Sequence, residues 1–346
     1  MSQYALMLAA AALSALALLP GARAQAKSRS DSQAGRPPAQ RPFITERVSL
    51  ETPTGTLHGT LERPQSSAPV PVTLIIAGSG PTDRDGNSAM LKGANNSLKL
   101  LAAGLAAEGI ASLRYDKRGV AESAGVKQQG EADLRFETYI DDAVLWGRKL
   151  RADRRFSSLT LVGHSEGSLI GMVAARKLGA DAFVSLAGAG RNVRDILLGQ
   201  VKPQLPPELF KTTEDIMGQL AAGKTIENVP RELYVLFRPS IQPYMISWMR
   251  YDPAKELAAL SVPVLIAQGT TDIQATDEDA RLLAKANPAA RLLMVEGMNH
   301  VLKAVPNERE RQLASYGDPA LPVVPALVKE IAATVRRARP SRARHR

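Results

Sequence analysis

Apolar residues fall along this chain in two alternating rhythms. Short continuous runs, rich in β-branched residues, read as buried strands: Val70–Ile76, Ile110–Tyr115, Leu159–Val162, Ala182–Leu186, Val262–Gln268 and Arg291–Val295. Between them, apolar residues recur at helical spacing, as at Leu98, Leu101 and Leu105, and again at Ala143, Val144, Trp146 and Leu150. The pattern predicts helices over 96–108, 137–152, 168–178, 276–286 and 320–336. Ahead of these, 44–51 and 55–62 alternate as strands around Thr52-Pro53-Thr54-Gly55, which predicts a hairpin.

Strands alternating with helices imply an α/β fold with a mostly parallel, doubly wound sheet. Residues 189–257 break the rhythm. They carry amphipathic pieces at 206–221 and 230–237 and seven prolines, and they contain no strand-like run. The stretch reads as a helical cap inserted over the carboxyl edge of the sheet. Within it, Phe237, Tyr244 and Trp248 suit either an apolar substrate pocket or the cap's own core.

The ends differ from this body. Residues 4–19 are apolar, Pro20-Gly21 breaks the run, and Ala22-Arg23-Ala24 has the small-x-small form of a signal-peptidase site. The run is short for a membrane span. A signal over 1–24, cleaved after Ala24, predicts a periplasmic or secreted protein with no membrane span after processing. Residues 25–42 read as a disordered linker and 338–346 as a basic disordered tail, leaving a core of 43–188 and 258–337 around the insertion.

Formal net charge is +10 over 346 residues. The excess sits at the ends, with six arginines in 336–346, while 48–335 is balanced. A basic face for nucleic acid is therefore not expected. Cysteine is absent, which excludes disulfides, thiolate metal sites and a cysteine nucleophile. No His/Asp/Glu cluster has ligand spacing, so the expected chemistry needs neither metal nor cofactor.

The chemistry gathers at Gly163-His164-Ser165-Glu166-Gly167. A G-x-S-x-G between a strand and a helix is a nucleophile elbow, which holds the serine in a strained turn above the sheet. A serine hydroxyl needs a base. Of four histidines, His58 lies in the hairpin, His345 in the tail, and His164 inside the elbow, where its backbone directs it away. His300, just past the last strand, remains. Asp272 follows the Val262–Gln268 strand and is the acceptor that would orient His300; Asp277 and Asp279 are rivals whose helix aims them elsewhere. The glycine-rich loop Ala77–Gly86 after the first core strand matches no nucleotide-binding pattern.

These segments together resemble the serine α/β-hydrolases, in particular secreted bacterial esterases of the serine aminopeptidase-like and dienelactone hydrolase-like groups. The resemblance runs from Val48 to Arg337. Its carriers are Gly78–Gly86, Arg114–Gly119, the elbow, Phe237–Ser240 with Gln242–Tyr244, Gly269–Gln274 and Asn299-His300. It implies ester hydrolysis, with Ser165 as nucleophile, Asp272 as acid partner and His300 as base. It further implies an oxyanion hole from the backbone N–H groups of Ser79 and Glu166. Two departures stand out: serine replaces the cysteine of dienelactone hydrolases, and Ala77 replaces the histidine common before the oxyanion glycine.

The expected substrate is a small-molecule ester. Two other readings stay open. The same triad would serve a peptidase or amidase, with Arg191, Glu214 or Asp215 meeting a charged terminus. Alternatively, the scaffold would bind without catalysis.

Overall fold

The computed structural model describes residues 43–126 and 130–338. The signal at 1–24, the linker at 25–42 and residues 339–346 of the tail lie outside them.

Eight strands form one sheet in the order β1-β2-β4-β3-β5-β6-β7-β8. They are β1 (Phe43–Thr52), β2 (Gly55–Pro64), β3 (Val70–Ile76), β4 (Ala111–Tyr115), β5 (Phe156–His164), β6 (Ala182–Leu186), β7 (Val264–Gly269) and β8 (Arg291–Val295). The hairpin pairs β1 with β2, and β2 joins β4 antiparallel; from β4 through β8 all pairing is parallel. Strand β5 extends past the apolar run Leu159–Val162, because Phe156 pairs with Val70 of β3 while His164 still pairs with Leu186.

The parallel strands read as continuous apolar runs because helices cover both faces. Successive side chains then divide between two cores. Ile75, Val162, Val184 and Leu265 face α1 (Ser97–Ala107) and α11 (Pro325–Arg337). Leu74, Leu161, Phe183 and Ile266 face α2 (Phe136–Ala152), α3 (Glu166–Leu178) and α9 (Asp277–Ala286). Helix α11 begins at Pro325, later than the periodicity suggests. Proline is well suited to a first helical turn, and the preceding Val323 is taken by a β-bridge to Lys303.

Between β6 and β7 the chain is helical: α4 (Val193–Val201), α5 (Pro207–Ala221), α6 (Tyr234–Phe237), α7 (Gln242–Met249) and α8 (Pro253–Ala258). The helix expected over 230–237 is only its last four residues, after a 3₁₀ turn at Arg231–Leu233. Pro239 disfavours helical backbone at Arg238 and ends it. This stretch has its own apolar cluster, including Val201, Ile216, Met217, Leu220, Leu233, Phe237 and Met245. It is also tied to the main core. Tyr244 and Leu257 pack there, Trp248 stacks on Phe136 at 5.6 Å with rings 4° apart, and Ser247 Oγ accepts the Phe136 N–H at 2.8 Å. The final helix before α11 is α10 (Arg309–Ser315).

Candidate active site

Ser165 sits at the junction of β5 and α3 with φ 56° and ψ −123°, a conformation that costs a non-glycine residue free energy. The turn is held by close approach. A Cβ on Gly163 would lie 2.2 Å from the Gly167 carbonyl oxygen, and one on Gly167 would lie 2.4 Å from the Ile76 oxygen. Only glycine fits either place. The Ser165 N–H donates to the Leu186 carbonyl at 2.9 Å, anchoring the turn to β6. Glu166 follows in the first turn of α3, where backbone N–H groups have no intrahelical partner. On the other side, a Cβ on Gly78 would lie 3.1 Å from Ser165 Cβ, so the loop after β3 passes directly against the serine.

Asp272 lies just beyond the carboxyl end of β7. Its side chain is fully buried. Oδ1 accepts the backbone N–H groups of Gln274 and Ala275 at 2.7 and 3.0 Å. Oδ2 lies 2.8 Å from His300 Nδ1 and 3.3 Å from Gln268 Nε2. A carboxylate only accepts, so His300 carries its proton on Nδ1 and leaves Nε2 as an acceptor. The loop bearing His300 comes this close because residue 269 is glycine; a Cβ there would lie 2.0 Å from the Met298 oxygen. Ser165 and His300 line one small cavity of about 80 Å³ together with Ser79 and Glu166.

The other candidates separate cleanly. Asp279 caps α9 through Thr276 and pairs with Arg191 at 2.8 Å, so it is spoken for. Arg191 lines the small cavity with its guanidinium on that carboxylate. Glu214 and Asp215 are exposed on α5, and Asp215 faces Lys211. Phe237, Tyr244 and Trp248 all line a larger cavity of about 630 Å³, which shares Ser79 and Glu166 with the small one. Trp248 lines both. Among the described residues, no group of three or more metal-ligating side chains stands together.

His164 is turned off Ser165 but has a place in the site that the sequence did not show. The strand alternation that turns it off Ser165 brings it to the loop bearing His300. Its Nε2–H donates to the His300 carbonyl at 2.8 Å, and the two rings lie 4.8 Å apart. Burial, reinforced by His300, lowers its pKa from 6.5 to about 4, so it is neutral near pH 7.

Sequence reasoning also missed Lys117. It lies two residues past β4 with a side chain only 2% exposed. Its ammonium donates to the Gly78 carbonyl and lies 3.3 Å from Glu166 Oε2. Tyr244 donates its hydroxyl to Glu166 Oε1. The signal was position: a lysine two residues past a short strand and before a tight turn, in a segment that carries the resemblance.

Known proteins carry the same architecture. The pattern of the family described as serine aminopeptidase, S33, matches residues 93–304. The chain is 28% identical over 250 residues to the esterase EstD of Thermotoga maritima, covering 71% of this chain and 58% of that protein. The chain thus spans little more than half the length of that relative. Among solved structures, Est1E from Butyrivibrio proteoclasticus superposes with a TM-score of 0.54 at 17% identity, over 84% of this chain and 98% of that one. The enol-lactonase from Burkholderia xenovorans does so with a TM-score of 0.51 at 17% identity, over 84% of this chain and all of that one. With its eight-stranded, mostly parallel sheet and helices on both faces, the chain belongs to the serine aminopeptidase (S33) family, hydrolases of the α/β-hydrolase superfamily.

Proposed function

We propose that this chain is an exported serine carboxylesterase acting through Ser165, His300 and Asp272. The observation that carries the reading is the shared cavity: a strained elbow serine and a histidine oriented by a buried aspartate open onto the same space. His300 Nε2 takes the Ser165 proton as Oγ attacks the ester carbonyl. The backbone N–H groups of Ser79 and Glu166 receive the oxyanion, each worth about 3 kcal/mol of barrier. His300 then protonates the departing alkoxide, and water releases the acid from Ser165 by the reverse sequence.

The two cavities support a division of the substrate into two halves. The leaving alcohol must stand beside its proton donor, and His300 lines the smaller of the two and a further pocket of about 50 Å³ beside His164 and Tyr316, but not the larger cavity. The acyl group then extends into the larger cavity, past Ser79 and Glu166, under the helices of 189–257 acting as a cap. A free amino terminus would need a carboxylate there. Glu166 is held by Lys117 and Tyr244, and Glu131 by Arg238 and Ser240, which favours an ester over an aminopeptidase substrate.

Two ester series test this. Methyl esters of increasingly long acids should stay substrates as the acid grows, while acetates of increasingly long alcohols should fall away early. Ser165→Ala should abolish both activities; full turnover by that variant would refute the mechanism. Export after Ala24 is checked by the mature amino terminus, which should begin at Gln25.

A further inference from the structure

We infer that Lys117 is a positioning residue for the oxyanion hole, acting through the peptide bond between Gly78 and Ser79. The inference rests on the serine-hydrolase reading above. A peptide unit is planar and trans, so the Gly78 carbonyl and the Ser79 N–H point in opposite directions from one rigid plate. Lys117 holds the carbonyl side of that plate. The opposite side, Ser79, lines the cavity that contains Ser165 and His300. Fixing the carbonyl aims the N–H. A cation on the carbonyl also polarises the unit, which strengthens the N–H as a donor.

The same ammonium reaches the second donor. Glu166 supplies the other oxyanion N–H, and its carboxylate lies against Lys117. Both ends of the hole therefore meet at one buried charge. Lys117 is held in place: its side chain is only 2% exposed, and its ammonium stands 5.2 Å from the centroid of the Tyr139 ring. Its backbone is pinned by its neighbour. The Asp116 carboxylate accepts the Arg84 backbone N–H at 2.8 Å, both Nε and a terminal nitrogen of the Arg84 guanidinium, and the Glu122 N–H.

Stability alone does not account for this arrangement. A buried ion pair is often replaced by apolar residues of similar volume at no loss of stability. A carboxylate and an ammonium, 3.3 Å apart beside a nucleophile, instead preserve a hydrogen bond donated to one backbone carbonyl. Tyr244 closes the set from α7, where burial and the Glu166 charge push its phenol well above its ordinary pKa and keep it a donor.

The test compares wild type, Lys117→Met, Lys117→Arg and the double variant Lys117→Met/Glu166→Gln. The double variant removes the stranded carboxylate and carries the test if the single Met variant folds poorly. The readouts are kcat and KM on one methyl ester, and the affinity of a trifluoromethyl ketone that mimics the tetrahedral adduct. Loss of one carbonyl anchor should lower kcat about 10- to 100-fold with KM held, below the full loss of an oxyanion donor. Ketone affinity should fall by the same factor, and Lys117→Arg should recover part of both. The double variant should stay as slow as Lys117→Met. Wild-type kcat in Lys117→Met, or its return in the double variant, would overturn the inference, since the lysine would then only neutralise Glu166. A wild type silent toward every ester would instead sink the hydrolase reading itself.

Discussion

His164 donates its Nε2–H to the backbone carbonyl of His300, so the residue before the nucleophile holds the main chain of the base. The bond needs only the proton on Nε2, and burial keeps the rest of the ring uncharged down to about pH 4. In the unfolded chain the same ring takes up a proton below about pH 6.5. Between these values the unfolded state binds more protons, so stability falls as pH falls. The loss attributable to His164 is about 3 kcal/mol across the window, because the folded pKa is depressed. Denaturant unfolding of wild type and His164→Asn at pH 7, 5.5 and 4 checks it. The wild type should lose this much more than the variant on acidification, and parallel curves would remove His164 from the account.

Asp272→Asn should leave the fold in place and lower kcat by about 10⁴. The amide can still accept from Gln274 and Ala275, but its NH₂ group favours the wrong tautomer of His300. Asp279→Asn should lower kcat far less, since that carboxylate serves Arg191 and the start of α9. Steady-state kinetics on one ester distinguish the two; equal losses would mean the wrong aspartate has been chosen.

Gly167→Ala should cost more than about 3 kcal/mol of stability, because the new methyl meets the backbone oxygens of Ile76 and Ala77 and neither can move. Gly199→Ala provides the contrast. It lies in α4, where an added Cβ meets nothing within 4 Å, and should stabilise by about 0.5–1 kcal/mol. Thermal unfolding of both variants is the measurement, and a tolerated Gly167→Ala would contradict the close packing of the elbow.

Trp248→Ala should merge the two cavities and shift preference toward bulkier alcohols, while unstacking Phe136 lowers stability by about 3 kcal/mol. The acetate series, run alongside a melting curve, reads both effects. A variant with unchanged alcohol preference would show that Trp248 is not the partition.

The strands and the elbow were legible because their signals are local. Both faces of β3, β5 and β6 are covered, so the sequence there is predominantly apolar, and Gly163 and Gly167 sit at fixed offsets from Ser165. His300 and Asp272 could be reached by elimination, because each follows a strand at its carboxyl end. Lys117 could not. Its partners, Gly78 and Glu166, lie 39 and 49 residues away, and only the β4-β3-β5 order brings the three loops together. The contact of His164 was hidden for a related reason: strand alternation says which way a ring leaves the elbow, but not that a loop 136 residues on waits there. In the insertion, apolar spacing placed α5 correctly but could not divide Phe237, Tyr244 and Trp248 between core and cavity, because each belongs to both.

That double membership constrains how such a protein can diversify. Trp248 shapes the cavities and also staples α7 to α2, so selection for a new substrate at that position erodes the fold that presents it. Met90, half-exposed, and Val235, outside the three apolar cores, line the larger cavity without carrying either burden. New specificities would therefore accumulate first at the mouth of the cavity, by drift among side chains the core does not miss, before they reach its aromatic floor.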